Sequence, residues 1–364
     1  MTSIWELANP QLRALVSYEP GKPIEETARE FDIDPDAIIK LASNENPLGP
    51  SPKAIAAMRA ALENVHLYPE GSGVYLREAL GRKLGLESEN IILGNGSNEV
   101  IEFLGHAFLN PGDDVLTSAH AFICYKLIAT LFGARTLEAA APDFLPDLDA
   151  ILEAITSKTR LIFIANPNNP TGSLIAPHKI DNFMARLPEN IITVFDEAYF
   201  ELLDNAPDTL RYVRSGRNVV VLRTFSKIHG LASLRIGYGI APCGLIEVLQ
   251  KTRQPFNVNG VAQAAALAAL TDEQHIQRTK AVVDAGRSYL EEAFAALNLH
   301  FVPAAANFIM VNVGDGAAVF RNLLAEKVIV RPLAGYKLPE WVRVSVGTLE
   351  QNRKCIAALK KVLS

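Results

Sequence analysis

Ser226, Lys227 and Arg235 follow directly on an apolar, β-branched run in the stretch "VVVLRTFSKIHGLASLRIGYG", Val219 to Gly239. A lysine at the end of a buried strand loses water, which lowers its pKa and frees an amine able to attack a carbonyl. Ser226 adds a hydroxyl and Arg235 a permanent cation, a pair suited to a phosphate.

Three other strand ends carry polar groups. "IITVFDEAY" closes an apolar run on Asp196, with Tyr199 three residues on. That carboxylate reads either as one half of a charge pair, because burying it alone is costly, or as a helix cap. "RLIFIANPNNPTG" closes on Asn166 to Gly172, where X-Pro units around Asn168 and Asn169 either aim a side-chain amide rigidly or simply stop the strand. "NIILGNGSNEVIEFLGHAF" reads as a strand, a turn at Gly94 and Gly96, and a helix from about Ser97. The N–H groups of Ser97 and Asn98 form an anion site there, or the segment is an ordinary strand-to-helix turn. The third glycine of a dinucleotide fingerprint is missing, and no GxxxxGK occurs. Lysine, phosphate site, aspartate and aimed asparagine on successive strand ends fit one cofactor, pyridoxal 5′-phosphate, bound through the lysine with a carboxylate on its ring nitrogen.

Such ends need a sheet to hold them. "NIIL", "DVLTS", "RLIFIA", "IITVFD", "NVVVLRTF" and "RIGYGIA" alternate with helical stretches, which predicts an α/β domain with a mostly parallel sheet from about Leu41 to about Asn259. In open sheets of this kind, ligands sit beyond the carboxyl ends of the strands. "NFIMVNV", "VIVRP" and "WVRVSVG" predict a second, smaller α/β domain. The first forty residues, with Pro10, Pro20, Pro23 and Pro35, read as an arm. The division expected is 1–40 arm, packing on the small domain or a partner subunit, 41–265 large cofactor domain and 266–364 small domain.

Composition narrows the partners. The 364 residues are 49% hydrophobic and 21% charged, enough apolar material for a thick buried sheet. The net charge of −5 comes from 35 basic and 40 acidic residues with no Lys/Arg run, which argues against nucleic acid. Cys124, Cys243 and Cys355 form no CxxC and no regular framework, which fits a reducing, cytoplasmic compartment. The seven histidines lack metal-ligand spacing, so no metal site is expected. Neither a signal peptide nor a membrane span is read in the chain.

The order "SNENP", "YPEGSG", "GNGSNE", "NPNNPTG", "DEAY", "TFSK" and "LRIGYG" resembles the fold type I pyridoxal-phosphate aminotransferases over nearly the whole chain, from Tyr18 to the C-terminus. Within them, "RQPFNVN" and "VRVSVGT" are similar to the histidinol-phosphate aminotransferases. The resemblance implies a three-layer αβα large domain with a smaller C-terminal α/β domain, and Lys227 as the covalent attachment point. It implies Asp196 on the ring nitrogen, Asn169 and Tyr199 on the ring's phenolic oxygen, and Ser226, Arg235 and the amides of Ser97 and Asn98 on the phosphate. Phe122 takes the position that stacks on the cofactor, while Tyr125 nearby is either a further site residue or core. Tyr68 matches a tyrosine that reaches the partner subunit's cofactor phosphate, so a homodimer is implied.

Tyr18 matches a tyrosine near the substrate phosphate. Arg331 and Arg343 suit carboxylate and phosphate groups in turn, or belong to surface ion pairs. Asn44 and Asn307 are further candidates, as substrate contacts or turn residues. The chain departs from its relatives at Ile228, His229 and Ser233, and His229 reads as a packed or solvated histidine rather than a cofactor contact. The implied reaction is ping-pong transfer from L-histidinol phosphate to 2-oxoglutarate, with an aromatic aminotransferase, a threonine-phosphate decarboxylase and a non-catalytic binding protein as alternatives.

Overall fold

The computed structural model describes residues 3–13, 15 and 21–364. Seven strands form the large sheet: β1 Ile91–Gly94, β2 Asp114–Ser118, β3 Arg135–Ala139, β4 Thr159–Ala165, β5 Ile192–Asp196, β6 Val219–Thr224 and β7 Gly237–Ile240. Their spatial order is β1-β7-β6-β5-β4-β2-β3. Only β7 runs antiparallel to its neighbours, β1 and β6, so β1 to β6 all end on the same edge. β7 begins there, which brings Arg235 to that edge as well.

Alternation along the inner strands explains the two-sided burial. Ile162, Ile164, Val219 and Val221 join a core on one face, and Leu161, Phe163, Val220 and Leu222 join a core on the other. A sheet covered by helices on both faces selects such continuous β-branched runs. β3, the strand absent from the sequence reading, is the edge strand "RTLEA"; its half-exposed, charged pattern gives no apolar run to detect.

A second sheet holds β8 Phe301–Val302, β9 Phe308–Asn312, β10 Arg331–Leu333 and β11 Leu338–Ser345, in the order β10-β11-β9-β8. "VIVRP" is divided: Val328–Ile329 pairs in parallel with Ile39–Lys40, and Arg331 starts β10. The long helix Glu273–Ala296 contributes Leu290 and Phe294 to the core of this sheet, and so does Leu41. The helix Ile24–Phe31 also lies here, with Ala28 packed near Leu324 and Ile329, while Gln11 donates to the Leu131 carbonyl on the large sheet's side. Among the described residues no helix is long and apolar enough to cross a membrane.

Candidate active site

The carboxyl edge of the large sheet and one end of the second sheet enclose a cavity of about 270 Å³. Its wall includes Ser97, Asn98, Phe122, Asn169, Asp196, Tyr199, Ser226, Lys227 and Arg235, together with Asn44, Arg331 and Arg343. The structure thus brings together residues up to about three hundred positions apart in the chain. Tyr68 is not in this wall: it is 82% exposed and stacks on Phe256 at 4.7 Å, away from the cavity of its own subunit. Tyr18 lies outside the described residues.

Lys227 follows β6 by three residues. Its Nζ donates to the Ser43 carbonyl at 3.3 Å and lies 5.8 Å from the centre of the Tyr199 ring. Burial, reinforced by the Arg343 and Arg235 charges, pushes the amine down to about 8, which brings its neutral form within reach near neutral pH.

Asp196 ends β5 and is 7% exposed. The cation expected beside it is not its hydrogen-bond partner. The Tyr125 hydroxyl donates to Oδ2 at 2.6 Å instead, and Oδ1 has no partner among the described residues. Burial raises the carboxyl, while the Tyr125 hydroxyl, the Ala198 N–H and the Lys227 charge oppose that rise. The true buried ion pair is one residue on: Arg223 donates to Glu197 at 2.8 and 3.0 Å, and its guanidinium lies 3.5 Å over the Phe200 ring. It ties β5 to β6 behind the two functional ends.

Tyr199 accepts from Asn44 Nδ2 at 3.0 Å, and burial pushes its hydroxyl up to about 12. Asn44 Oδ1 accepts from Ser345 at 2.8 Å, and Asn307 donates to the Asn44 carbonyl at 3.0 Å. Both ends of the Asn44 amide are therefore engaged in holding Tyr199 against the second sheet. Arg343 Nη1 donates to Asn169 Oδ1 and Nη2 to the Ala42 carbonyl at 2.7 Å. With its oxygen so occupied, Asn169 presents its amide N–H₂ as the remaining functional end.

The anion end is built from backbone. Helix Ser97–Phe108 starts at Gly96 with no side-chain cap, so its first N–H groups are left for another acceptor. Arg235 Nη1 lies 3.5 Å from Ser226 Oγ. Gly96, at φ 79°, leaves room for this guanidinium: a Cβ there would sit 2.5 Å from Arg235 Nη2. Gly237 allows the Ser97 N–H equally close, since its Cβ would lie 2.3 Å away. Two glycines thus open a cradle of N–H donors and one guanidinium.

Pyridoxal 5′-phosphate fits this donor set. The orphaned Asp196 Oδ1 offers an acceptor for a ring N–H, the cradle offers phosphate donors, and the Lys227 amine lies in the same cavity. Phe122, just before the helix Cys124–Leu131, and Tyr125, in its first turn, both sit on the wall, ring centroids 5.7 Å apart.

Arg331 and Arg343 are direct cross-strand partners in the β10–β11 ladder. Both residues line the cavity, so two guanidinium groups suited to anions are carried on neighbouring strands at one wall.

From sequence alone Tyr125 is either a site residue or core; the structure places it on the wall. Tyr336, also in the wall, carries no sequence signal. His229 does not line this cavity. It is buried against the Phe225 ring at 4.9 Å, facing a different cavity bounded by Lys83, Arg223 and Tyr238. Burial, with Lys83 and His275 nearby, pushes its pKa down to about 3. The unfolded chain therefore binds the proton first, and stability falls as pH drops below about 6.5 toward 3. Between pH 7 and 5 His229 is expected to cost the wild type about 2 kcal/mol. Denaturant unfolding of His229→Gln should show a shallower loss over that interval; an unchanged slope would contradict the assignment.

The chain matches the family described as aminotransferase class I and II over residues 36–359. It is 51% identical over 362 residues to the histidinol-phosphate aminotransferase of Akkermansia muciniphila, covering 99% of this chain and 100% of that one. To the enzyme of the same name from Moorella thermoacetica it is 45% identical, covering 95% and 90%. Among solved structures, the histidinol-phosphate aminotransferase of Sinorhizobium meliloti in complex with pyridoxal 5′-phosphate superposes with a TM-score of 0.90 at 28% identity, over 98% and 97% of the two chains. With a cavity of this make-up beyond the strand ends, and a family match across nearly its full length, the chain belongs to the class I and II aminotransferases.

Proposed function

We propose that this protein is a pyridoxal 5′-phosphate-dependent aminotransferase that converts L-histidinol phosphate and 2-oxoglutarate to 3-(imidazol-4-yl)-2-oxopropyl phosphate and L-glutamate, a step of histidine biosynthesis. The observation that carries the substrate class is the pair Arg331 and Arg343, opposed across one ladder at the cavity. Each guanidinium fork binds a phosphate or a carboxylate in bidentate fashion, so one site serves a phosphate ester and a dicarboxylate in turn.

The cofactor, when bound, supplies an electron sink for the pair left at the substrate Cα. Asp196 Oδ1 would hold the proton of its ring nitrogen. Asn169 and Tyr199 would serve its phenolic oxygen, and Ser226, Arg235 and the N–H groups of Ser97 and Asn98 would take its phosphate. Phe122, on the same wall, would help to keep water from it. Lys227, lowered toward 8, takes the donor's Cα proton on Nζ and, in the second half of the cycle, gives a proton from Nζ to the carbon that becomes the Cα of glutamate.

The protein acts as a homodimer with shared sites. Tyr68 supports this reading: it is exposed beside Phe256, Val65 and Leu67, an apolar surface suited to a second copy, and it does not reach its own subunit's cavity. A cytoplasmic setting agrees with three unpaired cysteines.

The test is substrate preference. A phosphate ester offers the guanidinium groups charged acceptors that a phenyl ring does not, a difference on the order of a few kcal/mol. Histidinol phosphate is expected to exceed phenylalanine by at least about a hundredfold in kcat/KM. Arg331→Gln should narrow that ratio more than it slows turnover with glutamate. Comparable values for the two donors in the wild type would favour an aromatic aminotransferase.

A further inference from the structure

Tyr125 is the largest fully buried side chain on the cavity wall, and the reaction as described gives it no part. Its ring stacks on Phe163 of β4 at 4.5 Å with planes 7° apart, and Phe122 meets it edge-on. These contacts fix the direction of the hydroxyl, which donates to Asp196 Oδ2 at 2.6 Å. The other oxygen of that carboxylate, Oδ1, is buried and has no partner among the described residues. A carboxylate free to rotate would share its two oxygens between any donors in reach; one oxygen clamped by a rigid phenol leaves the other in a single direction.

We infer that Tyr125 is a positioning residue: its phenolic O–H clamps Asp196 Oδ2, so that Oδ1 is left as the acceptor for a ring N–H. Phe122 just precedes the helix Cys124–Leu131 whose first turn carries Tyr125, and the Tyr125 N–H donates to the Phe122 carbonyl, so the stacking residue and the residue that sets the carboxylate share one support. This extends the cofactor reading given above and rests on it for its catalytic consequence, though not for the contact itself. The ionisable groups around Asp196 are Lys227, Tyr125, Cys124, Tyr199 and Glu197. Of these only Tyr125 donates a side-chain hydrogen bond to it.

The experiment uses two variants with opposite expected signs. In cofactor-free protein with ¹³C-labelled aspartate, the Asp196 carboxyl band is identified by its disappearance in Asp196→Asn. Tyr125→Phe, which removes one oxygen and keeps the ring, should make that carboxyl titrate at higher pH than in the wild type. Incorporation of 3-fluorotyrosine at position 125, a more acidic donor, should make it titrate at lower pH. In the loaded enzyme Tyr125→Phe should lower kcat about ten- to a hundredfold, the range for a lost hydrogen bond to a charge, with KM for 2-oxoglutarate within about threefold. Titration unchanged in both variants, or displaced the same way in both, overturns the inference. If Tyr125→Phe does not fold, the fluorotyrosine protein decides alone by the sign of its displacement. Failure of the wild type to bind pyridoxal 5′-phosphate would remove the functional reading, whereas the titration would still judge the contact.

Discussion

Lys227→Ala is expected to give a folded protein whose turnover is lower by about 10⁴-fold, the upper range for loss of a positioned general base. The side chain ends in a cavity and makes one long hydrogen bond, to the Ser43 carbonyl, so its removal costs the fold little. What disappears is an amine held near 8 among Asp196, Tyr199 and the cradle of Arg235 and Ser226. Borohydride treatment of the wild type with pyridoxal 5′-phosphate should fix the cofactor to the Lys227 peptide, as read by mass spectrometry. A label on another lysine, or turnover within about tenfold of wild type, would remove Lys227 from its assigned place.

Mixing two impaired proteins should restore activity. Tyr68→Phe keeps Lys227, and Lys227→Ala keeps Tyr68. If each site joins Lys227 of one subunit to Tyr68 of the other, a heterodimer has one site with both residues and one with neither. Random reassortment of equal amounts makes half of the dimers mixed, so about a quarter of all sites recover wild-type behaviour. The physical ground is the placement of Tyr68: stacked on Phe256 at the surface, it cannot serve the cavity of its own chain without leaving that stack. Subunit exchange verified by mass, with no rise in activity above the sum of the parents, would assign Tyr68 to its own subunit or to neither site.

Much of this architecture is legible in the residues alone, for a definable reason. Strands buried on both faces must be continuous apolar runs, so "VVVLRT", "ITVFD" and "TRLIFIA" announce β6, β5 and β4 without any partner being known. A polar residue at the end of such a run is costly to bury unless it has work to do or a partner to meet, which is why Lys227, Asp196 and Asn169 stood out before their meeting place was known. The edge strand β3 and the short strands Ile39–Lys40 and Phe301–Val302 have half-exposed or two-residue patterns, and nothing local distinguishes them from loop.

Tertiary structure alone decided the partnerships, because hydrogen bonds depend on distances that sequence separation does not encode. That Asp196 is met by the Tyr125 phenol, while Arg223 is taken by Glu197, follows from which faces of neighbouring elements turn toward each other. The opposition of Arg331 and Arg343 is a matter of register: a slip of one residue in the β10–β11 ladder would send the two guanidinium groups to different faces. Asn44, Asn307 and Ser345 converge on Tyr199 only because the second sheet packs over the end of the first. Composition and local pattern set which residues are costly to bury and so where chemistry is offered; long-range packing set which oxygen, amine and guanidinium face one another, since only the folded chain brings groups three hundred residues apart to within about 3 Å.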